Sequence, residues 1–573
     1  MIQAEKISFS FPQKDLYNKL TFSLEENRHC AFIGSNGTGK TTLINIICNP
    51  DEYMYEGKLS VKPNIRIGHV NQFYNIDKSS EITVFEYLSE EFVKVQNDIN
   101  YVCEKMGTSD DIEPLMEEYQ KLLDYSDAID ADNYENNIRN ELKIANLMRC
   151  ENMSVNNLSG GEYKLVRIIK EMIIVPDLLI MDEPDGYLDF ENINSLMKLI
   201  NSYKGTMIVI THNRYLLNNC FDKIWHLENM ELQEFDANYT EYNYTLLQTK
   251  IELLEQSAKE DEEIERNRGV VNKLRAQATR VDNAAIGRQV HARASHLALL
   301  EARKIKAPFV EIRQPEMNFY TDKICEEAYA LKFTDYSSKF DDVLLENVNL
   351  EILPTDKVAI VGANGTGKTT MLRDIFNKKN ENISVSADID MVYLSQISGE
   401  VLDETNTVLE EFEQMGFENE QKVAEYLLKF CFDIDMIYTK ISQLSGGERN
   451  LLQIAKISLG NANLLLLDEP TSHLDTYSQI ALENAIKEYN GTVIMVSHDF
   501  YTIVNCTDYI FLIENGNIRK MSSRAFRKLI YKEYFDKDYL EVEQKKKLLE
   551  IKIEQAMQSK DFKTAYKLFE GLV

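Results

Sequence analysis

GSNGTGKT, Gly34 to Thr41, returns as GANGTGKT, Gly362 to Thr369. Each copy answers one physical demand, the holding of a polyphosphate whose charge must be met by closely packed donors. The glycines let the backbone turn its amides inward around phosphate oxygens. Lys40 and Lys368 reach the terminal oxygens, while Thr41 and Thr369 offer hydroxyls to magnesium. Apolar runs, Cys30 to Ile33 and Val358 to Val361, lead in as strands, and the helix after each loop turns its N-terminus to the phosphate. The expected ATP contacts are Gly34, Ser35, Asn36, Gly37, Thr38, Gly39, Lys40, Thr41 and Thr42 in the first half. In the second they are Gly362, Ala363, Asn364, Gly365, Thr366, Gly367, Lys368, Thr369 and Thr370.

The repetition continues outward. LSGGE at Leu158 to Glu162 recurs at Leu444 to Glu448, and MDEP at Met181 to Pro184 recurs as LDEP at Leu467 to Pro470. His212 of THN recurs as His498 of SHD, and all three pairs lie 286 residues apart. Repetition in register predicts two complete ATP-hydrolysing cassettes in one chain, and so an α/β fold. Leu178 to Met181 and Leu464 to Leu467 read as buried parallel strands ending in Asp-Glu. There Asp182 and Asp468 would enter the magnesium shell, and Glu183 and Glu469 would polarise the attacking water. His212 and His498 follow apolar strands; each reads as a phosphate-sensing switch, with a purely structural histidine as the alternative.

Composition bounds the rest. At 573 residues with 44% apolar side chains, the chain is long enough for two cores of roughly 200 residues each, with material left over. Eight cysteines without a CxxC pair point to free thiols in a reducing compartment rather than zinc or disulfides. No run of eighteen apolar residues and no signal-peptide profile at the N-terminus is visible, so a soluble cytoplasmic protein is expected.

LSGGE is the signature of ATP-binding cassette proteins, and the chain resembles that family. The resemblance implies a sandwich in which the phosphate loop of one half faces the signature of the other. Site one would pair Lys40, Thr41, Gln72, Asp182, Glu183 and His212 with Ser445, Gly446 and Gly447. Site two would pair Lys368, Thr369, Gln396, Asp468, Glu469 and His498 with Ser159, Gly160 and Gly161. Glu183, Glu469, His212 and His498 then form the catalytic set, with ATP and Mg2+ as cofactors. Thr41, Gln72 and Asp182 would hold one ion, and Thr369, Gln396 and Asp468 the other. Phe11 and Tyr336 are candidates for the ring stacked on adenine, or core aromatics. Two positions depart from the family wording: Tyr187 stands where histidine is commoner, and Asn213 replaces the acid after the switch histidine. Unequal turnover at the two sites is the expectation.

The parts added between the repeats are informative. Gln72 and Gln396 are 324 apart, so the first half holds 38 extra residues before its signature. They fall near Glu86 to Glu135, where fifteen acids face three lysines. This helix-forming stretch reads either as a solvated decoration or as an arm that docks on a partner, such as a basic ribosomal protein.

Between the cassettes, apolar residues at helical spacing in Tyr244 to Leu254 and Val290 to Leu300 predict an antiparallel helical hairpin. From Arg266 to Lys306 ten cations stand against two acids, on a chain whose net charge is −30. Arg266, Arg268, Lys273, Arg275, Arg280, Arg288 and Arg293 are the candidate RNA contacts, because clustered cations suit phosphate.

Twin cassettes, a charged helical linker and an arm insertion together resemble the F subfamily of ATP-binding cassette proteins. That resemblance implies ribosome binding, with the linker entering the tRNA exit site toward the peptidyl-transferase centre. It further implies either displacement of antibiotics or a housekeeping role in translation. The weakly charged centre AQATRVDNAAIG, near Ala276 to Gly287, favours ribosome protection and would be the hairpin tip. The partners expected are ribosomal RNA and exit-site or P-site tRNA, bound by a monomer. Rival readings are the ATPase subunit of a membrane importer, a DNA-maintenance ATPase and a non-catalytic scaffold. The expected division is 1–238 for the first cassette, 239–312 for the linker, 313–525 for the second cassette and 526–573 for a charged extension read as a solvated terminal helix.

Overall fold

Leu178–Asp182, Thr206–Ile210 and Leu464–Asp468 are buried along their whole length, and such runs are stable only as strands covered on both faces. The computed structural model of the chain provides that cover twice. It describes residues 1–11, 14–71, 81–108, 112–278, 314–323, 325–339, 343–378, 380–514, 516–534 and 561–571, with scattered positions between 293 and 297 and between 549 and 559.

The first half contributes β1 (Ile2–Phe11), β2 (Lys14–Leu24), β3 (His29–Ile33), β4 (Glu56–Val61), β5 (Ile67–Val70), β6 (Leu178–Asp182), β7 (Thr206–Ile210), β8 (Lys223–Glu228) and β9 (Glu231–Phe235). Six of them form a sheet in the order β5-β6-β7-β3-β8-β9, and a smaller sheet runs β2-β1-β4. The second half contributes β10 (Leu331–Lys339), β11 (Val343–Ile352), β12 (Lys357–Gly362), β13 (Ile383–Val385), β14 (Met391–Leu394), β15 (Leu464–Asp468), β16 (Thr492–Val496), β17 (Tyr509–Glu514) and β18 (Asn517–Ser522). Its sheets, β14-β15-β16-β12-β17-β18 and β11-β10-β13, match the first pair strand for strand. The fold is α/β, with two tandem cassettes.

Each six-stranded sheet is parallel except for its terminal hairpin, β8–β9 or β17–β18. The register pairs Asp182 with Ile210 and Asp468 with Val496, so the acids and the histidines His212 and His498 emerge at one carboxyl edge of each sheet. Phe32, Ile180, Ile208 and Trp225 are fully buried beneath the first edge, as are Leu466, Ile494 and Phe511 beneath the second. Each such side chain contributes about 2 to 3 kcal/mol by leaving water, which fixes the platform on which the loops stand.

Capping boxes locate the extra residues of the first half. Thr83 with Glu86, and Thr407 with Glu410, start equivalent helices, and bridges Thr83–Ser154 and Thr407–Lys440 close equivalent loops. The insertion therefore lies between Thr83 and Ser154. Tyr134–Ile144 has its counterpart 286 residues on in Glu420–Lys429, so the extra residues are the part of Val84–Met106 that runs beyond its short counterpart Val408–Glu413, together with the helix Glu113–Ala128. Val84–Met106 buries Leu88, Phe92, Val95 and Ile99, whereas Glu113–Ala128 buries none of its side chains.

Met1–Asn238 and Gln314–Ile530 form one compact unit that holds both cassettes, and the described parts of Tyr239–Arg313 and Tyr531–Val573 form another. In the second unit a single helix runs from Tyr239 to Ala278, so Ala276 to Ala278 still lie in helix. The expected turn beyond Ala278, and with it the second arm of the hairpin apart from Arg293, Ala294 and Leu297, lies outside the described residues. The reading of the C-terminal extension as a solvated helix is corrected. Ile553, Ala556, Met557 and Ala565 are buried with Ile251 of the linker helix, and Tyr244, Leu247, Leu254, Phe562 and Phe569 pack around them. The apolar stripe of each helix is what covers the other. The helix Ser523–Tyr534 also runs without a break across residue 525.

Candidate functional site

β3 and β12 each feed a loop that ends at a left-handed glycine, Gly39 with φ 95° or Gly367 with φ 89°, before the helices Lys40–Cys48 and Lys368–Asn377 begin. At Gly39 a Cβ would also meet the Tyr17 hydroxyl at 2.8 Å, so only glycine fits. Lys40 Nζ donates to the carbonyls of Gly34 and Ser35 at 2.8 and 2.9 Å. Lys368 Nζ repeats this with Gly362 and Ala363 at 2.9 and 2.7 Å. Both amines are buried, and burial lowers both pKa values. Thr41 donates to Asp182 at 2.8 Å and Thr369 to Asp468 at 3.2 Å.

The signatures are helix starts. Ser159 and Ser445 cap the helices Gly160–Ile173 and Gly446–Ser458, each in a capping box closed by Glu162 or Glu448. The glutamate of LSGGE therefore serves the local fold, holding the Ser-Gly-Gly amides at an exposed helix N-terminus. Each signature is brought to the opposite phosphate loop. A Cβ on Gly447 would lie 2.1 Å from Asn36 Nδ2, and Asn36 Nδ2 donates to the His473 carbonyl at 2.8 Å. Asn364 Nδ2 donates likewise to the Tyr187 carbonyl at 3.0 Å. The amides of Asn36 and Asn364 each donate at 3.1 Å to an aspartate of the other cassette, Asp475 and Asp189. Those aspartates use their second oxygens to cap their own helices, through Ser478 and Asn192.

Site two encloses about 510 Å³, lined by Gly160, Gly161, Thr369, Gln396, Glu469 and His498 among others. Gln72, its counterpart at site one, lies outside the described residues. Tyr336 is fully buried and donates to Asp374 at 2.9 Å, so it is a core aromatic and cannot stack on a base. Phe11 is exposed at the end of β1, edge-on to Phe9.

The two sites differ electrostatically. Burial opposes the charge on Glu183, but hydrogen bonding to His473 and the charges of His212, His473 and Lys40 outweigh it and bring its pKa to about 2. Among the described residues Glu469 accepts only from the His498 amide; burial and the neighbouring Asp468 push it up to about 8. Burial lowers His212 to about 4 and His498 to about 3. His498 Nε2 sits 3.0 Å from Asn364 Oδ1, while Nε2 of His212 meets no hydrogen-bond partner among the described residues. Glu183, Glu469, Tyr187 and His473 all adopt positive φ, between 47° and 64°. Strain of this order, about 1 to 3 kcal/mol per residue, persists where the surrounding structure imposes it, typically at working sites.

Several contacts at this site escaped sequence reading. Lys164, buried behind the first signature, donates to the carbonyls of Glu183 and Gly186 at 2.8 and 3.1 Å. Arg214 crosses to Asp499 and Glu483 of the other cassette. Their only sequence signal is asymmetry: 286 residues on stand Asn450 and Phe500.

The ABC transporter family profile matches residues 17–186 and 345–472. The chain belongs to this ATP-binding cassette family. It is accordingly an ATPase that binds ATP. Among its relatives is ABC transporter F family member 5 of Arabidopsis thaliana, 30% identical over 90% of the chain and 75% of that protein. The uncharacterised ABC transporter ATP-binding protein YfmM of Bacillus subtilis is 28% identical over 87% of the chain and 96% of its own length. The ATP-binding protein Uup of Escherichia coli K12 is 27% identical, with 88% and 79% covered. Among solved structures, an archaeal ribosome recycling factor in complex with a ribosomal stalk protein shares the fold at TM-score 0.55 and 18% identity, covering 92% of each chain. Among the described residues no helix of this cassette protein is long and apolar enough to cross a membrane.

Proposed function

We propose that this ATPase is a cytoplasmic, ribosome-associated protein of the F type that places its linker in the tRNA exit site and displaces antibiotics bound near the peptidyl-transferase centre. The observation carrying the reading is the charge of the linker. Arg266, Arg268, Lys273 and Arg293 are exposed, in a segment with ten cations against two acids on an otherwise acidic chain. One focused polyanionic contact answers such a contrast, and ribosomal RNA supplies it. The F family relative and the fold shared with a ribosome recycling factor support it.

Glu183, and Glu469 once it is ionised, would accept the proton of the water that attacks the terminal phosphorus, while Lys40 and Lys368 hold the phosphate charge. Mg2+ fits the donors present: a threonine hydroxyl 2.8 or 3.2 Å from one aspartate at each loop, with no three-residue acid or histidine cage among the described residues. Such sparse sets suit an ion that keeps its waters and binds mainly through substrate phosphates. When bound, it would neutralise charge developing on the phosphate oxygens. ATP-driven closure would hold the linker in place, and hydrolysis would release it.

The test is sedimentation of the double Glu183→Gln, Glu469→Gln protein with ribosomes in ATP, beside drug susceptibility of a sensitive host expressing the chain. Co-sedimentation, with protection confined to drugs of the peptidyl-transferase region, is expected. Absence from the ribosomal pellet at moderate salt would overturn ribosome binding. Binding without any change in susceptibility would replace resistance with a housekeeping role.

A further inference from the structure

A chain of three side chains crosses between the cassettes at site one. Tyr187 Oη lies 2.7 Å from His473 Nε2, and His473 Nδ1 lies 3.0 Å from Glu183 Oε2. A carboxylate can only accept, so Nδ1 carries the hydrogen, and the Tyr187 hydroxyl, which can donate or accept, pairs with Nε2. One ring thus links both groups. His473 belongs to the cassette that also supplies Asp475 to the Asn36 amide, so the segment that seats the phosphate loop also holds the glutamate beside it.

We propose that His473 is a positioning residue for ATP hydrolysis at site one: it fixes the Glu183 carboxylate from across the interface, and Tyr187 fixes its ring. By holding Oε2, His473 sets the direction in which Glu183 presents its carboxylate to the attacking water. Among the described residues nothing equivalent is built at site two. The residue matching His473 there is Tyr187 itself, which turns to His473, and the described contacts of Glu469 are with the amide of His498 at 3.3 Å and its Nε2 at 3.5 Å. Each glutamate stands four positions before its own member of the pair, Glu183 before Tyr187 and Glu469 before His473. A shift of either segment is thereby felt at the other cassette's site.

The variants His473→Ala, His473→Asn and Tyr187→Phe, in the full chain, test this by steady-state ATP hydrolysis. The asparagine amide can replace the Nδ1 donor. His473→Ala is expected to lower kcat about tenfold with KM for ATP within twofold, His473→Asn to keep at least half of kcat, and Tyr187→Phe to fall between. Combined with Glu183→Gln, His473→Ala should cost nothing further, because the group it positions is gone. An unchanged kcat in His473→Ala would overturn the assignment. So would a His473→Asn protein as slow as His473→Ala, or an equal further loss in the Glu183→Gln background, since each marks a general packing role.

Discussion

Lys164 and Asn450 occupy the same turn of the two signature helices and perform the same task with different chemistry. Lys164 donates to the carbonyls of Glu183 and Gly186, and Asn450 to those of Pro470 and Ser472 at 3.0 and 2.8 Å. Both thereby tie down the loop that follows Glu183 or Glu469. The amine costs more to bury: its pKa is lowered to about 8, chiefly by burial, with Asp185 and Glu183 opposing the fall. Asp185 in turn is raised by burial and keeps a hydrogen bond from Thr211 at 2.6 Å. Lys164→Met removes two hydrogen bonds from a charged donor and the nearby positive charge that offsets Asp185, so it should cost about 3 to 5 kcal/mol. Adding Asp185→Asn should restore at least half of that loss, because the charge left without that offset is removed. Chemical denaturation of the single and double variants decides this; equal losses in both would show that the pair carries no coupling.

At the scale of elements, the cassette strands and loops were legible because their signals are local. Glycine spacing, apolar runs of five residues and the repeated signature each depend on neighbours in sequence, and β3, β6, β12 and β15 stand where those runs end. Glu86 was read as arm acidity, yet it closes a capping box with Thr83, a pattern that is local and was there to be seen. The Tyr187–His473–Glu183 chain was not legible in the same way. Its members lie 286 and 290 residues apart, and only cassette pairing brings them together. The packing of the C-terminal helix was missed for a similar reason: a mixed-charge amphipathic stripe shows that a face is covered, not by what. Ala565 sits at the centre of that contact, fully buried, whereas Lys563 is exposed on the same helix. Ala565→Asp should therefore release the helix Phe562–Glu570 from Ile251 and Ile553, and Lys563→Asp should not. Limited proteolysis reads the difference, with cleavage after residue 534 at least several times faster in the first variant; matching rates would mean the contact does not hold the extension.

At the scale of the whole molecule, the repeat makes the two cassette contacts formally equivalent, and the residues then break the equivalence. On one side Arg214 is buried against Glu483 and Asp499, with its guanidinium 4.7 Å from the Tyr501 ring centre. Those carboxylates hold its pKa above the usual arginine range, against the pull of burial. On the other side the positions 286 residues away are Phe500, Met197 and Asn213; Phe500 packs with Phe526 of its own cassette at a ring separation of 6.5 Å, and Phe526 meets Phe190 of the first cassette at 6.2 Å. One contact is charged and directional, the other apolar and tolerant. An ion cluster taken out of water adds little net stability, but breaking it is expensive, because the remaining charges stay buried. Asp499 also directly follows the switch histidine His498 and caps the helix Phe500–Cys506, so the cluster ties the pairing of the cassettes to the edge of site two. Arg214→Met should lower the stability of the paired cassettes by about 3 to 5 kcal/mol. The triple variant Arg214→Met, Glu483→Gln, Asp499→Asn should recover most of the loss, since no charge is then left unpaired. Thermal unfolding of both proteins, followed at several salt concentrations, measures the two effects. If Arg214→Met unfolds with the parent, or if the triple variant is no better than the single one, the charged contact is not what distinguishes one side of the pairing from the other.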